Sequence, residues 1–160
     1  MSVTRRGVRM PAFAKSLFKT GTVKAGVLAG ATYPADMLTD ARTGKQVPDN
    51  RAGMPVAAIA MALEYGHGQN HPRPFMQNSV ANHGSQWAEG LRTLIKEGKS
   101  STEALLTLGA IMEEDIEETI RAWPADNSEA WAEFKGFNKG LAGPTGILAR
   151  SIKSEMEGGE

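Results

Sequence analysis

The sequence predicts an α+β fold, a single domain in which a small, mostly antiparallel sheet packs against two long helices. Two stretches, from about Pro74 to Glu97 and from Ser100 to Trp123, repeat apolar residues at three- and four-residue spacing, which is typical of amphipathic helices. Between Thr22 and Val27, polar and apolar residues alternate as in a strand. A chain of 160 residues is long enough for one moderate core.

The domain is expected to span residues 11–157, between two tails. Residues 1–10 are interpreted as a flexible basic arm that carries Arg5, Arg6 and Arg9, and residues 158–160 as a frayed tail. Pro11 to Lys19 is predicted to be a short helix with Phe13, Leu17 and Phe18 on one side. Residues 36–53 are polar and rich in turn-forming residues, which indicates a surface hairpin or a long loop, either reaching a neighbouring subunit or simply exposed.

The run from Met54 to Met76 is the most distinctive part of the chain. Its small apolar residues from Val56 to Leu63 favour a short helix, which glycines at 66 and 68 then end. The prolines that follow fix two φ angles, and the second suits the first turn of the next helix. We therefore predict a structural corner formed by Glu64, Gly66, Pro72, Pro74 and Phe75.

Arg73 lies between the two prolines of this corner, so a stiff backbone aims its guanidinium group. The planar fork of arginine suits bidentate pairing with a carboxylate. Two partners are open at this point: Glu64 of the same subunit, which is the favoured interpretation, or an acidic helix of a neighbouring subunit.

The second long helix is the clearest amphipathic element. A capping box at Ser100 and Glu103 marks its start and Pro124 stops it. Its predicted apolar face comprises Leu105, Leu108, Met112, Ile116, Ile120 and Trp123. The opposite side carries Glu113, Glu114, Glu117 and Glu118. Two interpretations stay open: these residues and the basic arm are a solvated helix face and a disordered tail, or they are an acidic and a basic interaction surface for stacking around a ring. On the first long helix the predicted apolar face comprises Phe75, Val80, Trp87, Leu91, Leu94 and Ile95.

Three segments in a fixed order resemble the neck and tail-completion (tail-terminator-like) proteins of long-tailed bacteriophages. They are Val27-Leu28-Ala29-Gly30-Ala31-Thr32-Tyr33-Pro34, then Val56 to Gly66, then Pro72-Arg73-Pro74-Phe75-Met76. A weakened C-terminal motif follows, comprising Lys135-Gly136, Leu141, Thr145-Gly146, Leu148 and Ser151-Ile152. His71 stands where the family has a first proline of the corner, and Pro144 stands where an Asp is common.

The resemblance implies a virion structural protein that is made in the host cytoplasm and has no enzymatic activity and no cofactor. It implies a hexameric ring that terminates the tail tube, joins it to the head connector protein, and lets genomic DNA pass through its lumen. A head-closure adaptor on the connector side is the alternative within this class. The resemblance also implies a helix turn followed by a strand at the C-terminus, which we expect in place of one short helix through Leu148, Ile152 and Met156.

Composition excludes several other classes. The chain has no cysteine, hence no disulfide framework or thiolate chemistry, and its formal net charge of zero argues against a dedicated nucleic-acid binder. No run approaches the roughly 18 apolar residues needed to cross a membrane.

A zinc site, and thus a small metal-dependent hydrolase, is suggested by Glu64, His67, His71 and His83. The glycine-flanked loop lacks a rigid element to hold such ligands, so no metal site is predicted.

Overall fold

The α+β fold is confirmed by the computed structural model, which describes residues 21–141 and 143–158 as one compact domain. Its elements are β1 (Gly21–Val27), β2 (Met37–Thr39), β3 (Gln46–Pro48), α1 (Val56–Tyr65), α2 (Phe75–Lys96), α3 (Ser101–Arg121), α4 (Glu129–Lys135), α5 (Ile147–Arg150) and β4 (Ile152–Gly158). The arm with Arg5, Arg6 and Arg9, and the helix predicted before Gly21, lie outside the described residues.

The described strands form two small antiparallel sheets, one from strands that are far apart in the sequence and one from strands that are close together. β1 pairs with β4, so that Gly21 lies opposite Gly158 and Val27 opposite Ile152. β2 and β3 form a hairpin, so the segment at residues 36–53 is the hairpin of the two alternatives. Because Gly158 is paired in the sheet, the frayed tail predicted from residue 158 is wrong at that residue.

The β1–β4 sheet rests on α3, and α2 packs beside α3 as its antiparallel neighbour. Gly109 permits the close approach of α3 to the sheet, since a Cβ atom there would lie 2.9 Å from Val23 Cγ2 and 2.7 Å from Ser154 Oγ. Trp87 of α2 donates from Nε1 to Asp115 Oδ2 of α3 at 2.6 Å. The helix pair therefore forms one layer, and two strands cover the α3 side of it.

The core lies between this layer, α1 and α5. Its most buried large side chains, each at most 1% exposed, are Val56, Phe75, Ile116, Ile120 and Ile152. The helices predicted at residues 56–63, 74–97 and 100–123 are present as α1, α2 and α3, and the capping box of α3 is formed. The prediction that Val80 lies on the buried face of α2 is wrong, since this residue is 56% exposed.

The C-terminal third differs from its prediction in one element. The short helix α4 is an element that the sequence patterns do not predict; Ser128 caps it through its side chain, and Gly136 ends it in the left-handed conformation. Trp131 and Phe134 stack within it, with ring centroids 5.1 Å apart. The helix turn followed by a strand is confirmed as α5 and β4.

Candidate interaction surfaces

Glu64 serves the fold of the corner directly. Helix α2 begins after Pro74 without a side-chain cap of its own, which leaves its first backbone N–H groups in need of acceptors. Glu64 of α1 supplies them: its Oε2 accepts from the Met76 amide at 2.9 Å, and its Oε1 from the Gln77 amide at 3.1 Å. The carboxylate is 6% exposed and lies at the positive end of the helix dipole, where a negative charge is favoured.

Gly66 gives the loop after α1 its tight path. Its φ is 79°, and a Cβ atom there would lie 2.9 Å from the Asn70 carbonyl oxygen. The loop closes through two backbone hydrogen bonds between His67 and Asn70. Phe75, at the start of α2, is 1% exposed and anchors the corner in the core. The structural role predicted for Glu64, Gly66, Pro72, Pro74 and Phe75 is thus consistent with where they lie.

Arg73 pairs with a residue of its own subunit, as the favoured interpretation predicted, but its partner is not Glu64. Its Nε lies 3.0 Å from both carboxylate oxygens of Asp126, and its Nη2 donates to the Asp126 carbonyl oxygen at 3.0 Å. His71 Nε2 and Trp123 Nε1 also bind Asp126 Oδ2, at 3.1 and 3.0 Å. Sequence reasoning missed Asp126, because 53 residues separate it from Arg73 and no local pattern marks it.

Asp126 remains ionised in this setting. Its partial burial favours the neutral acid, but the hydrogen bonds from Trp123, His71 and Arg73, together with the charge of Arg73, outweigh that effect and lower its pKa. The side chains of Arg73 and Asp126 are only 10% and 21% exposed. The corner is therefore held to the loop after α3 by an ion pair largely removed from water.

The predicted acidic face is not a single surface. Glu113 turns to the sheet instead, where its Oε1 accepts from the Ser154 amide and hydroxyl, both at 2.7 Å. Lys153 Nζ lies 3.6 Å from its other oxygen. Glu117 pairs with Arg121 one turn later on α3. This leaves Glu114 and Glu118 as the exposed members of the set.

The β2–β3 hairpin is held by two similar aspartate–arginine pairs. Asp40 binds Arg42 through both oxygens, and Asp49 binds Arg51 in the same way. Hydrogen bonds from Arg42 lower the pKa of Asp40 to about 2. The Ala41 amide donates to the Phe134 carbonyl oxygen at 2.8 Å, which ties the hairpin to α4 of its own chain.

A cavity of about 610 Å³ lies between the corner, the hairpin base and α4. Its wall includes Arg51, Arg73, Lys135 and Asp126. Lys135 is 8% exposed, its ammonium group donates to the Lys139 carbonyl oxygen at 2.9 Å, and it lies 4.5 Å from the centre of the Phe137 ring. Burial and the charge of Arg73 lower the pKa of Lys135. The basic groups of the wall thus already have contacts within the subunit.

The four candidate metal ligands are not brought together. Glu64 caps α2, His71 binds Asp126, and His83 lies 3.8 Å from Asp115 and stacks on Trp87. Within residues 21–141 and 143–158, no group of three or more His, Asp or Glu side chains could hold a metal ion. The hydrolase alternative therefore has no assembled ligand set in this part of the chain.

An apolar groove of about 650 Å³ runs between α1 and the first two turns of α2, and Val27 at the end of β1 closes it on one side. Met61, Tyr65 and Val80 on its rim are 63%, 67% and 56% exposed. Side chains this large and apolar, grouped around one concave surface, are typical of interaction sites. Sequence reasoning missed the groove, because Val80 and Met61 carry the same periodic signal as core residues.

No family model matches this chain, and no curated protein or solved structure matches it. Among the described helices, none is both long and apolar enough to cross a membrane.

Proposed function

We propose that this chain is a structural subunit of the neck of a long-tailed bacteriophage. Copies form a ring that terminates the tail tube and joins it to the head connector. The proposal rests on the ordered motifs of the sequence and on one structural observation, the groove around Met61, Tyr65 and Val80, which leaves a concave apolar surface open to another protein.

The edges of the β1–β4 sheet add to this support. Among the described residues, no backbone hydrogen bond outside the β1–β4 ladder involves a residue of β1. A sheet of two strands is marginal alone, and an unpaired edge is a template for another chain. On β4, by contrast, Glu113 occupies the Ser154 amide. The side of the subunit that carries β1 and the groove is thus the more open to assembly.

The mechanism proposed for the ring is mechanical and electrostatic. A ring on the last layer of the tube stops further growth and presents its other face to the connector. DNA passes through the lumen without being gripped if the lining carries negative charge. Glu114 and Glu118 suit such a lining, since both are exposed and neither belongs to an ion pair among the described residues.

Solution mass of the full chain, measured by light scattering over a range of concentrations and followed by negative-stain imaging, tests the proposal. Closed rings of one uniform size are the expected result. A pull-down with purified tail tube protein and, separately, with connector protein then distinguishes a terminator from a head-closure adaptor. A protein that is monomeric at every concentration and binds neither partner refutes the neck assignment.

A further inference from the structure

The cavity of about 610 Å³ between the corner, the hairpin base and α4 carries more positive than negative charge. Arg51, Arg73 and Lys135 line it, whereas Asp126 is the one carboxylate among the described residues of its wall. Asp49, which pairs with Arg51, adds a second carboxylate nearby. Three cationic groups therefore face two carboxylates, and one positive charge of the described wall has no counter-charge.

The cationic groups of this wall are largely removed from water. Arg73 and Lys135 are each 8% exposed, and the side chain of Arg51 is 19% exposed. Burial and the charge of Arg73 lower the pKa of Lys135, which is the response expected of a cation in a positive environment. An uncompensated charge in a partly buried site is costly, so an anion that enters the cavity is bound more strongly than one on the exposed surface.

The cavity also keeps hydrogen-bond donors for an anion. Arg73 uses Nε and Nη2 for Asp126, and its Nη1 has no hydrogen bond among the described residues. Arg51 pairs with Asp49 through Nε and Nη2, which leaves its Nη1 outside that pair. The hydroxyl oxygen of Thr145 is buried and has no hydrogen-bond partner in the described part of the chain, whereas most buried polar groups have one. Two guanidinium groups and an unsatisfied hydroxyl group thus line the same cavity.

The terminal residues of the chain do not supply the missing anion to their own subunit. Residues 1–20 include five arginine or lysine residues and no aspartate or glutamate. Glu160 lies at most about 7 Å from Gly158, which ends β4 near the start of α3. Asp126 follows the other end of α3, a helix of 21 residues and thus about 30 Å long. The anion therefore has to come from another molecule.

We propose that this cavity binds a single carboxylate group, either from an aspartate or glutamate side chain of a docking protein segment or from a free small carboxylic acid. A carboxylate matches the planar fork of a guanidinium group and carries the one negative charge that the wall lacks, whereas a phosphate dianion carries more. The volume is in the range of sites that take small ligands. The cavity shares no lining residue with the α1–α2 groove, and the inference does not rest on the proposed ring.

Two-dimensional nuclear magnetic resonance of the full chain tests the proposal through the indole N–H signals of its three tryptophans. Trp131 lines the cavity, whereas Trp87 binds Asp115 between α2 and α3 and serves as the internal reference. Propionate, and a blocked pentapeptide with one central glutamate among glycines, are expected to shift the Trp131 signal and leave that of Trp87 in place. Tighter binding of the peptide indicates a protein segment as the source of the carboxylate, and tighter binding of propionate indicates a free acid.

Three results of the titration overturn the inference. The first is a Trp131 signal that moves with neither ligand. The second is an equal shift with the same peptide carrying glutamine in place of glutamate, since that peptide lacks the charge. The third is tighter binding of inorganic phosphate than of either carboxylate, which contradicts the assigned ligand class.

A variant of Thr145 tests the site without removing a structural ion pair. Thr145→Val keeps the shape of the side chain and is expected to weaken carboxylate binding about tenfold, because a hydrogen bond to a charged group is lost. Thermal melting of the free protein should stay the same or rise, since a buried group without a partner is removed. Thr107→Val is the matched control, because Thr107 is exposed on α3 and its hydroxyl group donates to the Glu103 carbonyl oxygen. Equal carboxylate affinities of the two variants overturn the assigned site.

Discussion

Neutralising Asp126 should loosen the corner that Arg73 forms. The change Asp126→Asn keeps the size of the side chain but removes the charge that faces a guanidinium group only 10% exposed. Breaking a buried ion pair from one side costs about 3–5 kcal/mol. Asp126 is 21% exposed, and asparagine still offers an acceptor, so we expect a loss of about 2 kcal/mol in the free energy of unfolding.

Urea denaturation followed by far-ultraviolet circular dichroism measures this loss without relying on Trp123, which contacts Asp126. Asp36→Asn is the matched control, because Asp36 is exposed and its side chain has no hydrogen bond or ion pair among the described residues. A surface substitution of this kind should change the free energy of unfolding by no more than about 0.5 kcal/mol.

The pH dependence gives the same prediction an independent check. The pKa of Asp126 is lower in the folded protein than its ordinary value, so its stabilisation is complete above the unfolded pKa, near 3.9, and is lost as the pH falls towards the folded pKa. The difference in the free energy of unfolding between wild type and Asp126→Asn should therefore be constant above about pH 5 and shrink below about pH 4. Equal stabilities of Asp126→Asn and Asp36→Asn at neutral pH would refute the assigned role.

Three further predictions concern α2 and α3. Glu64→Gln should cost about 1–2 kcal/mol in urea denaturation, because the first turn of α2 loses a charged cap, and an unchanged midpoint would contradict that role. Gly109→Ala should lower the free energy of unfolding by about 1–3 kcal/mol, because the added methyl group overpacks against the sheet. Gly90→Ala is the control: it lies in α2, a Cβ atom there would have nothing within 4 Å, and the change should raise the free energy of unfolding by up to about 1 kcal/mol. Equal effects of the two changes would rule out the close approach of α3 to the sheet. Glu113→Gln should lower the thermal midpoint at neutral pH more than Glu114→Gln does. Hydrogen bonds from Ser154 and the nearby Lys153 hold the pKa of Glu113 below its ordinary value despite burial, so the difference in midpoint between the two variants should narrow in acid. A difference in midpoint that persists below that pKa would contradict this assignment.

Local patterns predicted the long helices well, for identifiable reasons. The capping box at Ser100 and Glu103 is a signal contained within four residues, and it is formed as predicted. Gly66 permits the positive φ that ends α1, and Pro74 fixes φ at the start of α2, so both helix boundaries follow from those residues alone. The short helix α4 was missed, because its seven residues, about two turns, are too few for a periodic signal.

Hydrophobic and acidic periodicity assigned some residues to the wrong side of a helix. Val80 follows the same apolar spacing as Phe75 and Trp87, yet it is exposed, because burial depends on which neighbour covers that turn of α2. Glu113 follows the same acidic pattern as Glu114 and Glu118, yet it turns to Ser154. A charge at a given helical angle is solvated or paired according to the element that packs beside it.

The sequence by itself determined the long helices and the corner, because each depends on interactions within a few residues, and the periodicity of the same segments indicated the fold class. The C-terminal helix turn followed by a strand was expected only from the family resemblance, since β4 pairs with the distant strand β1. Only the tertiary structure decided that Arg73 pairs with Asp126, that Glu64 caps α2, and that an apolar groove stays open between α1 and α2. Each of these depends on distant segments meeting in space, and no local propensity records which side chains will be neighbours once the helices have packed.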